Sequence, residues 1–205
     1  MKKILIALVT LMSVVMPSSA GDLQARLQYI HDEYEARLTK MANQPYDDGL
    51  SIECMTMQYN RMYPGTGLAQ FCTKFYWTDD ENENYMLRPT LYFVTSDTRM
   101  CSGIFRYYNE YLFDSTTGEL LFVLWVTQMG NDEANRRELR CWFDGDRIIK
   151  QLPERIDDES GLLLNVVEVE DSGRVSVASI LRECADLKSR FDAEIPTYAW
   201  TDDDE

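Results

Sequence analysis

Between Leu50 and Leu152 the apolar residues fall at every second position, and turn residues interrupt them at hairpin intervals. Successive side chains of a strand point to opposite faces, so this is the pattern of an antiparallel meander. Leu50 to Met62 turns at Pro64-Gly65-Thr66-Gly67 into Leu68 to Trp77, and the polar tract Asp79 to Asn84 leads to a third strand, Tyr85 to Thr95. Ile104 to Phe113 places Phe105, Tyr107, Tyr111 and Phe113 on one face, read as core, with Arg106 and Glu110 on the other. After a turn at Asp114 to Gly118, Leu120 to Thr127 is apolar almost throughout, which suits a central strand covered on both faces. Arg136 to Phe143 returns through Asp144-Gly145, a strong hairpin signal, into Arg147 to Gln151. Leu162 to Val169 fits a further strand or a helix, so the meander has six or seven strands.

On either side of this run the period lengthens. Leu23, Leu27, Ile30, Tyr34, Leu38 and Met41 recur at threes and fours, predicting an N-terminal helix over Asp22 to Met41. Val177, Ile180, Leu181, Cys184, Leu187 and Phe191 repeat in the same way, predicting a C-terminal helix packed on the sheet. The class is therefore α+β, broadly of the sheet-over-helix kind seen in cystatin-like folds. Residues 1–20 read as a signal peptide: Lys2 and Lys3, an apolar stretch Ile4 to Val15, and the small residues Ser18-Ser19-Ala20. That stretch falls short of the roughly 20 apolar residues a membrane span needs. Residues 21–205 then form one domain, closed by a loose acidic tail from Thr201 to Glu205, with a periplasmic or secreted location and no insertion in the membrane.

Charge excludes two partner classes. Without the first twenty residues, 18 basic side chains stand against 35 acidic ones, a formal charge of −17. Phosphate backbones and anionic membrane surfaces both require clustered Lys and Arg, so nucleic acid is not an expected partner.

The arrangement of Tyr63-Pro64-Gly65-Thr66-Gly67, Leu91-Tyr92-Phe93-Val94, Tyr111-Leu112-Phe113-Asp114 and Thr117-Gly118-Glu119-Leu120 resembles a group of uncharacterised exported proteins of Bacteroides-like bacteria. The resemblance covers roughly Leu50 to Gln151 and implies a shared sheet and an envelope location. It implies no catalytic residue.

Chemistry is reached by elimination. His31 is the only histidine, so a zinc site with two histidines cannot be built, and its place on the first helix beside the apolar stripe reads as a boundary residue of that stripe. Gly65-Thr66-Gly67 lacks the third glycine of a dinucleotide loop, since Gln70 stands there, and strands flank it. An EF-hand loop begun at Asp80 fails at Tyr85 and Leu91, where glycine and a bidentate glutamate are needed. No metal and no cofactor is expected. Five cysteines, Cys54, Cys72, Cys101, Cys141 and Cys184, contain no Cys-x-x-Cys. If Pro64 and Gly67 stand opposite each other, Cys72 faces Tyr59 and Cys54 faces Trp77, and the favoured reading is free thiols.

Three readings of function remain. The first is a non-catalytic envelope or secreted module that binds a protein, peptide or glycan through sheet-face aromatics, with Trp77, Tyr108 and Trp142 as the candidate binding residues among Tyr76, Trp77, Tyr107, Tyr108, Trp125 and Trp142. The second is a carboxylate-based hydrolase built from pairs such as Glu110, Glu119, Glu138 or Asp146 across a cleft. A structural envelope protein is the third. No residue is assigned a catalytic role.

Overall fold

A computed structural model describes residues 20–42, 53–81, 86–130, 135–152, 166–169, 173–195 and 198–199. The chain order is α1 (Ala20–Ala42), β1 (Glu53–Tyr63), β2 (Gly67–Glu81), β3 (Met86–Met100), β4 (Phe105–Phe113), β5 (Leu120–Met129), β6 (Arg136–Asp144), β7 (Arg147–Leu152), β8 (Val166–Val169), β9 (Gly173–Ser176), α2 (Val177–Glu194) and β10 (Tyr198–Ala199). β1 to β7 form an antiparallel meander in sequence order; β10 pairs with β3, and β8 with β9 makes a separate hairpin. The fold is α+β, as its sequence pattern predicts. Val166–Val169 is strand, which resolves the ambiguous segment over those four residues. Residues 1–19 of the expected signal peptide and the C-terminal tail from Thr201 lie outside the described residues.

The two helices cover opposite faces, giving three layers instead of the two of a sheet-over-helix fold. On one face Ile180, Cys184, Leu187 and Phe191 of α2 pack with Phe75, Trp77, Val94, Tyr111, Phe113, Val123, Cys141 and Phe143. On the other, Ile30 of α1 packs with Tyr92, Phe93, Leu112, Leu121 and Phe122. Helix α2 starts where Ser176 accepts from the Ser179 N–H while the Ser179 hydroxyl accepts from the Ser176 N–H, a reciprocal cap that fixes its first turn. β5 is buried on both sides, since Leu120 and Val123 face α2 while Leu121 and Phe122 face α1.

Three register shifts make the second face possible. They fall between Tyr76 and Trp77, Leu112 and Phe113, and Trp142 and Phe143. Each leaves one residue of the adjoining strand without a ladder partner: Tyr92, Leu121 and Ile149. All three belong to the α1 cluster. A bulge re-aims a side chain at the cost of one ladder position, and here each one adds an apolar residue to the face that α1 covers.

The β4–β5 turn is held from both sides. Asp114 Oδ1 accepts from the Thr116 and Thr117 N–H groups at 2.8 and 2.9 Å, and its Oδ2 accepts from the Tyr29 hydroxyl of α1 at 2.8 Å. From the other side the Lys188 ammonium of α2 donates to the Gly118 carbonyl at 2.7 Å. Burial works to raise the Asp114 carboxyl, but the donations from Thr117, Tyr29 and Thr116 outweigh it and hold the group below the ordinary carboxylate value of 3.8. The folded carboxyl therefore binds a proton less readily than the unfolded one. Its stabilisation is complete above the unfolded value and is lost as pH falls through it toward the folded value. Asp114→Asn should lower the melting temperature most near neutrality, and the gap to the wild type should narrow below about pH 4 in melts run as a pH series.

Two expectations are corrected. The first hairpin has a three-residue loop, with Tyr63 opposite Gly67 and the Thr66 N–H donating to the Tyr63 carbonyl, so Cys54 faces Tyr76 and Cys72 faces Gln58. Gly65 and Gly67 both take positive φ, 82° and 86°, which lets the loop close one residue earlier than a Pro64–Gly67 pairing. The five cysteines are free thiols, with Cys141 and Cys184 buried in the α2 core. β2 also runs on through Asp79, Asp80 and Glu81, because β3 continues the ladder opposite them, where a loop was expected.

Gln151 on β7 is fully buried, and among the described residues neither of its amide atoms has a hydrogen-bond partner. An unpaired buried amide costs about 1–3 kcal/mol, so Gln151→Leu should raise stability by about 1 kcal/mol in urea titration. A lower midpoint would show that the amide is satisfied.

Candidate binding groove between the first helix and the sheet

Near the middle of α1 the apolar stripe turns polar at its flank. Ile30 and Tyr34 point down to the sheet, while His31 and Glu35, each one position on, stand exposed beside them. Below them, two neighbouring ladder positions of β5 and β6 make a floor: Phe122 pairs with Trp142, and Leu124 with Arg140. These eight residues line a groove of about 250 Å³. At roughly 30 Å³ per water that is space for about eight waters, enough for one sugar ring or one side chain.

The floor is aromatic and ordered by edge contacts. Tyr34 meets Phe122 edge-on at 5.1 Å between centroids, and Phe122 meets Trp142 at 5.1 Å. The Lys150 ammonium lies 5.0 Å from the centroid of the Trp142 ring, and Arg140 donates to Glu138 at 2.8 Å. The rim thus offers donors from Arg140 and His31 and an acceptor in Glu35. This is equipment for recognition: a face to stack on, with polar groups to orient what stacks.

Behind Tyr34 lies a buried carboxylate. Glu110 is 7% exposed, and its two oxygens accept from the hydroxyls of Tyr34 at 2.5 Å and Tyr108 at 2.7 Å. Burial, then the hydrogen bond to Glu110 and its charge, pushes both phenols far above their ordinary value, with the Arg140 guanidinium a small opposing influence on Tyr34. Both stay neutral donors. On the α2 face the Tyr111 hydroxyl accepts from Trp125 and Asn109, each at 3.3 Å, and hydrogen-bonds Glu183, whose carboxyl burial pushes up.

The sequence-predicted binding residues do not converge. Trp142 lines the groove and Tyr108 stands behind it through Glu110, but Trp77 is 7% exposed on the opposite face, packed against Phe191 at 5.6 Å. The four candidate carboxylates are also dispersed. Glu110 is sealed by its two tyrosines, Glu138 is paired with Arg136 and Arg140, and Glu119 and Asp146 occupy the β4–β5 and β6–β7 turns. Among the described residues Glu35 is the one carboxylate lining the groove. Among the described residues no group of three His, Cys, Asp or Glu side chains could hold a metal, and no helix is long and apolar enough to cross a membrane.

Sequence reasoning passed over Glu35 and Arg140 and read His31 as a boundary residue of the apolar stripe. The signal for the first was present, because residues 30, 31, 34 and 35 share one helical face. Comparison with protein families, curated proteins and solved structures finds no match to this chain.

Proposed function

We propose that this protein is an exported, non-catalytic binding module of the cell envelope, and that it takes its ligand in the groove between α1 and the β5–β6 floor. The observation that carries this reading is the groove itself: a half-buried Trp142 flanked by the polar rim residues His31, Glu35 and Arg140. The ligand class that fits is a glycan, through one ring stacked on Trp142, or a peptide side chain in the same place. A hydrolase draws less support. It needs two carboxylates about 5–10 Å apart across a cleft, and this groove is lined by one.

The test is a glycan array and an envelope peptide array probed with the wild-type protein and with Trp142→Ala and Arg140→Ala. The reading expects retention on a defined set of glycans or peptides that Trp142→Ala abolishes and Arg140→Ala weakens by about tenfold or more, with unchanged circular dichroism. Retention indifferent to both substitutions would place binding elsewhere and defeat it.

A further inference from the structure

β1 is one edge of the seven-stranded sheet. It pairs with β2 over eleven consecutive positions, and among the described residues no strand pairs with its other side. A free edge presents a row of unpaired N–H and C=O groups, which monomeric proteins blunt with proline, lysine, a bulge or a short strand. β1 uses none of these. It holds no proline and no lysine, its ladder with β2 runs without a register shift, and it is eleven residues long against six for β7 at the opposite edge. Two of its large apolar side chains stand in the open: Tyr59 is 57% and Met62 69% exposed. Tyr59 is held flat on Phe71 of β2, with centroids 4.6 Å apart and planes 12° apart.

Charge selects the occupant. The chain carries −15, which would keep two copies apart, yet β1 itself is neutral. Its two charged residues, Glu53 and Arg61, stand four positions either side of Met57. An antiparallel pairing of two β1 strands about a two-fold axis at Met57 therefore sets each acidic position opposite the basic position of the other copy. The same register sets Met55 opposite Tyr59 twice and Met57 opposite itself. Opposite charges and Met–aromatic pairs directly across a ladder are both favourable. Sliding the register by two residues either way loses the charge match, and a one-residue slip puts partners on different faces. We propose that β1 pairs with β1 of a second copy in this register, joining two sheets into one continuous sheet through a two-fold interface.

Sedimentation equilibrium of the wild-type protein over a wide concentration range tests this together with three variants. The expected results are a monomer–dimer equilibrium for the wild type, a dissociation constant raised by about tenfold in Arg61→Glu and in Glu53→Arg, and recovery when both substitutions are combined. Recovery in the double variant is specific to the Met57-centred register and is not produced by a folding defect. Met57→Cys should in addition yield a disulfide-linked dimer under mild oxidation. A wild type that stays monomeric throughout, or a dimer whose affinity ignores the charge swap, would overturn the proposal.

Discussion

Ile30→Ala is expected to cost about 2–5 kcal/mol and to loosen α1 from the sheet. Ile30 is the fully buried residue of α1, 1% exposed, and it sits among Tyr92, Phe93, Leu112, Leu121 and Phe122. Truncation leaves a hole bounded by five rigid strand side chains that cannot close over it, so the cost should fall toward the upper end of the range. For a protein of ordinary stability, about 5–15 kcal/mol in total, this is a large fraction. Urea titration gives the number, and amide hydrogen exchange gives the location. Protection should fall first in α1, because its other ties to the sheet are few: the Tyr34 contacts with Glu110 and Phe122, and the hydrogen bonds of Tyr29 to Asp114 and Arg37 to Ser115. A loss below about 1 kcal/mol would mean that α1 contributes little to the packing of that face.

Glu110→Ala is expected to be nearly as severe, for a different reason. The buried carboxylate accepts from two half-buried phenols, so its removal takes the acceptor from both hydroxyls at once. Each unpaired buried group costs about 1–3 kcal/mol, for a combined loss on the order of 3 kcal/mol. Tyr34→Phe removes one donor and should cost about 1.5–3 kcal/mol, since the acceptor is a carboxylate. The two losses will not add. Once Glu110 is gone Tyr34 has nothing left to donate to, so the double variant Glu110→Ala with Tyr34→Phe should be more stable than the sum of the single effects predicts. Additive losses would show that the triad is not one unit.

The contrast between these residues marks how far the sequence could be read. The spacing of Ile180, Cys184, Leu187 and Phe191 correctly names the buried stripe of α2, whereas of the α1 stripe from Leu23 to Met41 only Ile30 is buried, Tyr34 and Met41 pack against its cluster, and Leu23 is exposed. The nearly continuous apolar stretch at Leu120 to Thr127 correctly signals a strand covered on both faces. Glu110 was expected to face away from the core, and it does lie opposite Tyr111 and Phe113. A period of two states which residues share a face, but not whether something covers the second face. Here α1 covers it, and the glutamate is buried with its own partners.

Bulges hid the rest. Tyr92, Leu121 and Ile149 each break the strict alternation, so a face assignment counted along the strand inverts beyond each of them. The groove depends on such details. Its floor exists because Phe122 pairs with Trp142 and Leu124 with Arg140, and because α1 packs above them. Neither is written in the local pattern of either strand. The first hairpin fails in the same way, since one residue in the loop decides whether Cys54 faces Trp77 or Tyr76.

Hydrogen–deuterium exchange with and without the strongest array ligand decides whether ligand is taken between α1 and the β5–β6 floor. Bound ligand should slow exchange in α1 around Ile30 to Glu35 and in β6 around Arg140 to Trp142, and Trp142→Ala should erase that protection while leaving the β4–β5 turn unchanged. Protection confined to other parts of the molecule, with these two segments exchanging as they do in the free protein, would contradict binding in the groove.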